Sequence, residues 1–194
     1  MKSITLGVLG SGSGSNFQAL LDAIDDDRLD AEVAVVLSDN PHALILDRAR
    51  QRGIATEIIN CAGHSSLFPG DEQARVARIL DDAGVDYVCL AGFMRLVKKP
   101  LLDAFPGRIL NIHPSLLPEF PGLAAWRQAL EAGVRETGCT VHLVDAGMDT
   151  GPIIMQERVT VLPGDTPESL HARIQEAEHR LYPAAVSLLA RSQE

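Results

Sequence analysis

Basic charge, cysteine and aromatic side chains are all scarce in this chain, and each shortage closes off a class of function. With 17 Lys and Arg against 26 Asp and Glu, the formal net charge is −9. Phosphate backbones are bound by basic surfaces, so a nucleic-acid partner is not expected. A small anionic ligand stays open, because backbone amides at a helix start hold one without a basic surface. The three cysteines, Cys61, Cys89 and Cys139, are odd in number and widely scattered. That spacing suggests neither a disulfide framework nor a metal knuckle; no metal is expected, and a reducing cytoplasm fits. No apolar run approaches the roughly 20 residues that span a bilayer. The chain start has Lys2 alone as a basic residue and meets Gly10 before a secretory segment develops. Neither a membrane partner nor a signal peptide is expected. Internal repeats and low-complexity tracts are missing too.

What is present is ordinary globular material, 46% hydrophobic and 22% charged. A chain of 194 residues suits one well-buried domain, 1–194. Apolar segments at 3–9, 32–37, 54–59 and 86–90 are expected as strands, followed by a central strand ending at His113 and strands at 138–144 and 152–162. Between and after them, helices are expected at 17–24, 43–52, 71–83, 122–132 and 166–189, the last with Thr166 as N-cap and Pro167 at its first position. Regular alternation of this kind predicts an α/β fold: a doubly wound, mainly parallel sheet with helices on both faces.

Three loops at the carboxyl edge of that sheet carry candidate chemistry. Gly10-Ser11-Gly12-Ser13-Gly14-Ser15-Asn16 stands between the first strand and the first helix. Its glycines let backbone approach a ligand, and Ser15 or Asn16 is placed to cap the helix and present amides to a phosphate. Asp39 falls about where a dinucleotide-binding fold keeps its ribose-binding acid, which makes a nicotinamide-type reading a competitor. Against it, Ser15 stands where the last Gly of G-x-G-x-x-G belongs. The stretch from Gly92 to Leu96 follows an apolar strand and suits a pocket wall. The third loop holds Asp145 and Asp149 among turn residues.

Asn111 and His113 are the centre of the reading. Two residues apart on a strand, they share one side, and Pro114 fixes where the strand stops. An amide donor beside an imidazole is what chemistry needs where negative charge builds on an oxygen. A carboxylate from the third loop near His113 would hold an imidazolium and raise its pKa. His142, on the alternating strand 138–144, is read as a semi-buried histidine and not as a second catalytic group.

Four motifs then occur in one order: Gly12 to Asn16, Leu90-Ala91-Gly92-Phe93-Met94-Arg95, Asn111-Ile112-His113-Pro114-Ser115-Leu116-Leu117-Pro118, and Met148-Asp149-Thr150-Gly151-Pro152-Ile153-Ile154. Together they resemble the phosphoribosylglycinamide formyltransferase family nearly end to end. The resemblance implies a formyltransferase fold and transfer of a formyl group from 10-formyltetrahydrofolate to the amino group of glycinamide ribonucleotide, with no metal. It implies that Gly14, Ser15 and Asn16 hold the substrate phosphate and that Glu178 contacts the ribonucleotide. Met94, Arg95, Leu96 and Val97 would line the folate pocket, with the loop from Asp145 to Thr150 closing over the pterin. His113 would be the general acid, Asn111 would stabilise the tetrahedral oxyanion, and Asp149 would raise the His113 pKa.

The chain departs from the family pattern in two places. Leu123-Ala124-Ala125-Trp126 stand where many relatives carry histidines, and the loop 61–70 offers no Arg or Lys to a folate tail. Other enzymes of this class act on amino sugars, on methionyl-tRNA or by hydrolysis of the folate. The tRNA enzymes typically carry a further carboxyl-terminal domain and the hydrolases an amino-terminal one, neither of which is expected here. A nucleotide-binding module without transfer chemistry is the reading from a different class. The oligomeric state stays open, a homodimer included.

Overall fold

Alternation of apolar side chains builds the sheet and decides which helices cover each face. On the first strand Ile4, Leu6 and Val8 join one buried cluster while Leu9 joins a second, as the two-residue period of a strand requires. The computed structural model describes residues 3–61 and 67–191. In chain order the elements are β1 (Ile4–Leu9), α1 (Ser15–Asp25), β2 (Ala31–Ser38), α2 (Leu44–Gln51), β3 (Ala55–Ile58), α3 (Gly70–Asp82), β4 (Tyr87–Leu90), α4 (Leu101–Ala104), β5 (Ile109–His113), α5 (Ala125–Glu131), β6 (Glu136–Leu143), β7 (Ile153–Thr160) and α6 (Pro167–Arg191).

The seven strands lie in the order β3-β2-β1-β4-β5-β6-β7. The first five run parallel, and β6 and β7 add an antiparallel edge. This is the expected α/β architecture, a doubly wound and mainly parallel sheet. One face is covered by α1, α2 and α6, through Phe17, Leu20, Ile45, Leu46, Leu170, Ile174 and Leu181. The other face is covered by α3 and α4, through Val76, Ala77, Leu80 and Leu101. Each fully buried Leu, Ile or Phe contributes about 1.5–3 kcal/mol. Gly7 lets α3 come this close, since a Cβ there would stand 2.3 Å from Leu80 Cδ2.

Strand order reverses between β1 and β4, the place where open sheets of this type collect ligands. There the two following loops are tied together: Ser11 N donates to Gly92 O at 3.1 Å, and Met94 N to Ser11 Oγ at 3.0 Å.

Local departures from the sequence expectations have simple causes. α1 starts two residues earlier than expected; its N-cap is Gly14, left-handed at φ 70° with no side-chain cap, and Ser15 and Asn16 fall inside the first turn. The expected helix 122–132 shortens to α5, because Gly122 and Ala124 both take positive φ. The four residues of α4 went unforeseen. Thr166 does cap α6, its Oγ1 accepting from Ser169 N at 3.2 Å. The absence of a basic residue in the loop 61–70 bears mostly on 62–66, outside the described residues.

Candidate active site

β5 delivers Asn111 and His113 at its carboxyl end, and the antiparallel register of β6 sets His142 opposite Asn111. All three sit low in the surface, His113 and His142 at 5% and 2% exposed. Asp149 reaches them from the loop between β6 and β7. Its Oδ2 lies 3.4 Å from His113 Nδ1, and its Oδ1 lies 3.7 Å from His142 Nε2. The carboxylate is held in place by Gly122 N, which donates to Oδ2 at 2.8 Å. Asp149 itself takes φ 55°, a conformation uncommon for a residue with a side chain and kept where surroundings over-determine it.

Hydrogen-bond polarity follows from these contacts. His113 Nε2 is 2.9 Å from Phe120 O, so this nitrogen carries a proton and donates it to the carbonyl. The other ring nitrogen then faces Asp149. His142 Nδ1 donates to Leu143 O at 2.9 Å, and burial lowers the pKa of this ring, keeping it neutral. Its Nε2 is therefore a lone pair, and the group 3.2 Å away is the Asn111 amide donating Nδ2–H. One hydrogen of Asn111 is committed to His142; the second remains for a ligand oxygen.

The structure brings the two expected folate segments together. Lys98 Nζ donates to Ala146 O, linking the loop after β4 to the loop carrying Asp145. Within the latter, Asp145 Oδ1 accepts from Thr150 Oγ1 at 2.7 Å and Gly147 N at 2.9 Å, and the Thr150 bond is the main cause holding this carboxyl below its usual range. Met94 and Leu96 are exposed, whereas Val97 is buried in the α3-side core and has backbone alone to offer. Arg95 turns inward: its Nε pairs with Asp39 at 2.5 Å, and Nη1 donates to Leu67 O at 2.8 Å. This occupies the acid that a dinucleotide-binding reading needs for a ribose.

At the first turn of α1, Gly14, Ser15 and Asn16 supply the helix-start amides. Asn16 Nδ2 donates to Glu178 Oε2 of α6 at 2.9 Å. Burial pushes the Glu178 carboxyl up to about 7, with the Asn16 bond pulling the other way. A cleft of about 580 Å³ opens beside this turn, lined among others by Ser15, Gln18, Arg48 and His179. It does not include Asn111, His113 or Asp149, so the cleft at the start of α1 and the Asn111, His113 and Asp149 cluster are separate places. Among the described residues no group of three or more His, Cys, Asp or Glu is arranged to hold a metal ion.

His142, expected as a semi-buried histidine, is buried against Asn111, a neighbour the sequence did not announce. Thirty-one positions from Asn111, it joins the cluster through strand pairing alone.

Known proteins share this arrangement of elements. The formyl transferase family's sequence profile matches residues 4–186. The trifunctional purine biosynthetic protein adenosine-3 of Drosophila pseudoobscura pseudoobscura is 50% identical over 187 residues, a match taking in 94% of this chain and 13% of that protein. This chain therefore spans a small part of that relative. The phosphoribosylglycinamide formyltransferase of Escherichia coli (strain K12) is 43% identical, with 94% of this chain and 85% of the relative covered. The crystal structure of glycinamide ribonucleotide transformylase 1 from Symbiobacterium toebii superposes with a TM-score of 0.94 at 54% identity, over 98% of this chain and 89% of that one. Motif order, fold and relatives of this identity agree, and the chain belongs to the formyl transferase family, in its phosphoribosylglycinamide formyltransferase branch.

Proposed function

We propose that this protein transfers the formyl group of 10-formyltetrahydrofolate to the amino group of glycinamide ribonucleotide, as a single formyltransferase domain acting in purine biosynthesis. The observation that carries the reading is the convergence of Asn111, His113 and Asp149 at the carboxyl end of β5. The amine attacks the formyl carbon, and the carbonyl electron pair moves onto oxygen. Asn111 Nδ2–H, steadied by His142, is the donor for that oxyanion. His113 has Nε2 committed to Phe120 O, so Nδ1, facing Asp149, is the nitrogen that carries the proton toward the reacting atoms. Collapse breaks the bond to the folate nitrogen, which gains a proton as the attacking amine loses one.

The ribonucleotide is assigned to the side of α1 and α6, with its phosphate on the amides of Gly14, Ser15 and Asn16 and its sugar near Glu178. Formyl folate is assigned to the loops of Met94–Val97 and Asp145–Thr150, which Lys98 joins. Three free, buried cysteines support a cytoplasmic setting. No helix of the described residues is long and apolar enough to cross a membrane.

The test follows tetrahydrofolate release from 10-formyltetrahydrofolate with and without glycinamide ribonucleotide, beside His113→Ala. Release is expected to require the ribonucleotide and to fall by about 10²–10⁴ in the variant. Release without an acceptor identifies a hydrolase instead, and saturable NAD(H) binding without folate turnover identifies a binding module.

A further inference from the structure

The glycine loop does not hold its shape alone; α2 holds it. Ile45 N donates to Gly12 O at 3.2 Å, and Arg48 Nε donates to Ser13 O at 2.9 Å. In a planar trans peptide the N–H points opposite to the carbonyl. Two successive carbonyls drawn toward α2 therefore turn the amides of Ser13 and Gly14 away from it, and successive amides turned one way are the kind of group that meets an anion. The left-handed Gly14 continues that turn into α1, with no room for a Cβ: it would stand 2.8 Å from Ile45 Cβ.

Arg48 is part of a longer chain of bonds along the cleft wall. Its Nη1 donates to Gln18 Oε1 at 2.9 Å, and Gln18 Nε2 donates to Asp22 Oδ1 at 2.8 Å. Arg48, Gln18 and Asp22 all line the cleft at the start of α1. Two other arginines there lie against carboxylates, Arg28 on Asp26 and Arg180 on Glu157. Arg48 differs: among the described residues no carboxylate comes within ion-pair distance of it, and its two named partners are a carbonyl and a neutral amide. A half-buried guanidinium with neutral partners leaves a positive charge for an incoming anion to answer.

We propose that Arg48 is the positioning residue of the phosphate subsite, clamping the glycine loop through the Ser13 carbonyl and setting an unanswered positive charge beside it. This rests on the reading of that loop as the ribonucleotide's phosphate site. Gln18 is the strut that fixes the guanidinium.

Steady-state kinetics of the wild type, Arg48→Met, Arg48→Lys and Gln18→Met test this, with inorganic phosphate as a competing ligand and thermal melting to establish folding. Arg48→Met is expected to raise the ribonucleotide KM about tenfold or more, the scale of one lost charge-assisted hydrogen bond. It should weaken inhibition by phosphate in parallel and leave kcat and the formyl-folate KM within about twofold. Arg48→Lys is expected to recover part of the loss, since a point charge cannot bridge both acceptors. Gln18→Met should move the ribonucleotide KM the same way with no change of charge. A folded Arg48→Met with wild-type ribonucleotide KM, or one that loses kcat and not KM, overturns the proposal; full recovery in Arg48→Lys with a silent Gln18→Met overturns the clamp. If phosphate fails to compete with ribonucleotide in the wild type, the reading of the subsite itself falls, independently of the Arg48 series.

Discussion

Glu178 gives the molecule a titration that belongs to one side chain. Its carboxyl sits at about 7 in the folded state against an ordinary 4.5, because it is buried. Between those values the folded protein holds more protons than the unfolded chain, so this group's contribution is fully present at pH 4 and is lost as pH rises through 7. Glu178→Gln keeps an acceptor for Asn16 and cannot ionise. The variant is expected to gain on the wild type as pH rises from 5 to 8, by up to about 3 kcal/mol. Urea unfolding at the two pH values checks this; an equal difference at both sinks it. The Asn111 and His142 pair makes a second prediction at this scale. Asn111→Ala should cost about 10²–10³ in kcat as the proposed oxyanion donor is removed. His142→Ala should cost less, since the donor stays but loses its anchor, and the double variant should be no slower than Asn111→Ala alone.

Helix starts show where elements were legible in the sequence and where they were not. Thr166-Pro167 announces α6 through side-chain chemistry that acts within three residues. Thr166→Ala is accordingly expected to lower stability by about 1 kcal/mol, read as a shift in guanidinium midpoint. α1 starts on a glycine whose reason lies in α2: the Ile45 side chain fills the space where a Cβ would go. That packing is invisible until the two helices meet, and this is why Ser15 and Asn16 look like caps from the sequence. Gly14→Ala should therefore cost about 1–3 kcal/mol and raise the ribonucleotide KM, since backbone strain and a steric clash fall on the same loop. A variant with unchanged melting and KM would show that the loop relaxes freely.

Across the whole molecule, the fold was legible because strands buried on both faces and helices with one apolar side carry different periods. The candidate site's clustering was legible in part. Asn111 and His113 lie two apart on one strand, so local geometry pairs them, but His142 joins only through the register of β5 with β6. Arg95, expected on the folate pocket wall, has its guanidinium against Asp39, fifty-six positions earlier, a contact that no local pattern announces. Global packing also governs thiol chemistry. Burial pushes Cys89 and Cys139 up to about 12, so the native protein at pH 8 is expected to resist alkylation there and to react once unfolded. Mass spectrometry of iodoacetamide-treated protein reads this directly; rapid native labelling at either cysteine would show that the sheet opens locally.

Trp126 of α5 lies flat on His171 of α6, ring centroids 3.8 Å apart and planes 8° from parallel. It is the one tryptophan in the chain, so tryptophan emission comes from a single seam, close in sequence to the Gly122 amide that holds Asp149. Desolvation keeps His171 uncharged at neutral pH, and the glow should stay level there and dim in acid as the imidazole gains its proton. The protein thus contains its own lamp on the seam between α5 and α6, with no dye required.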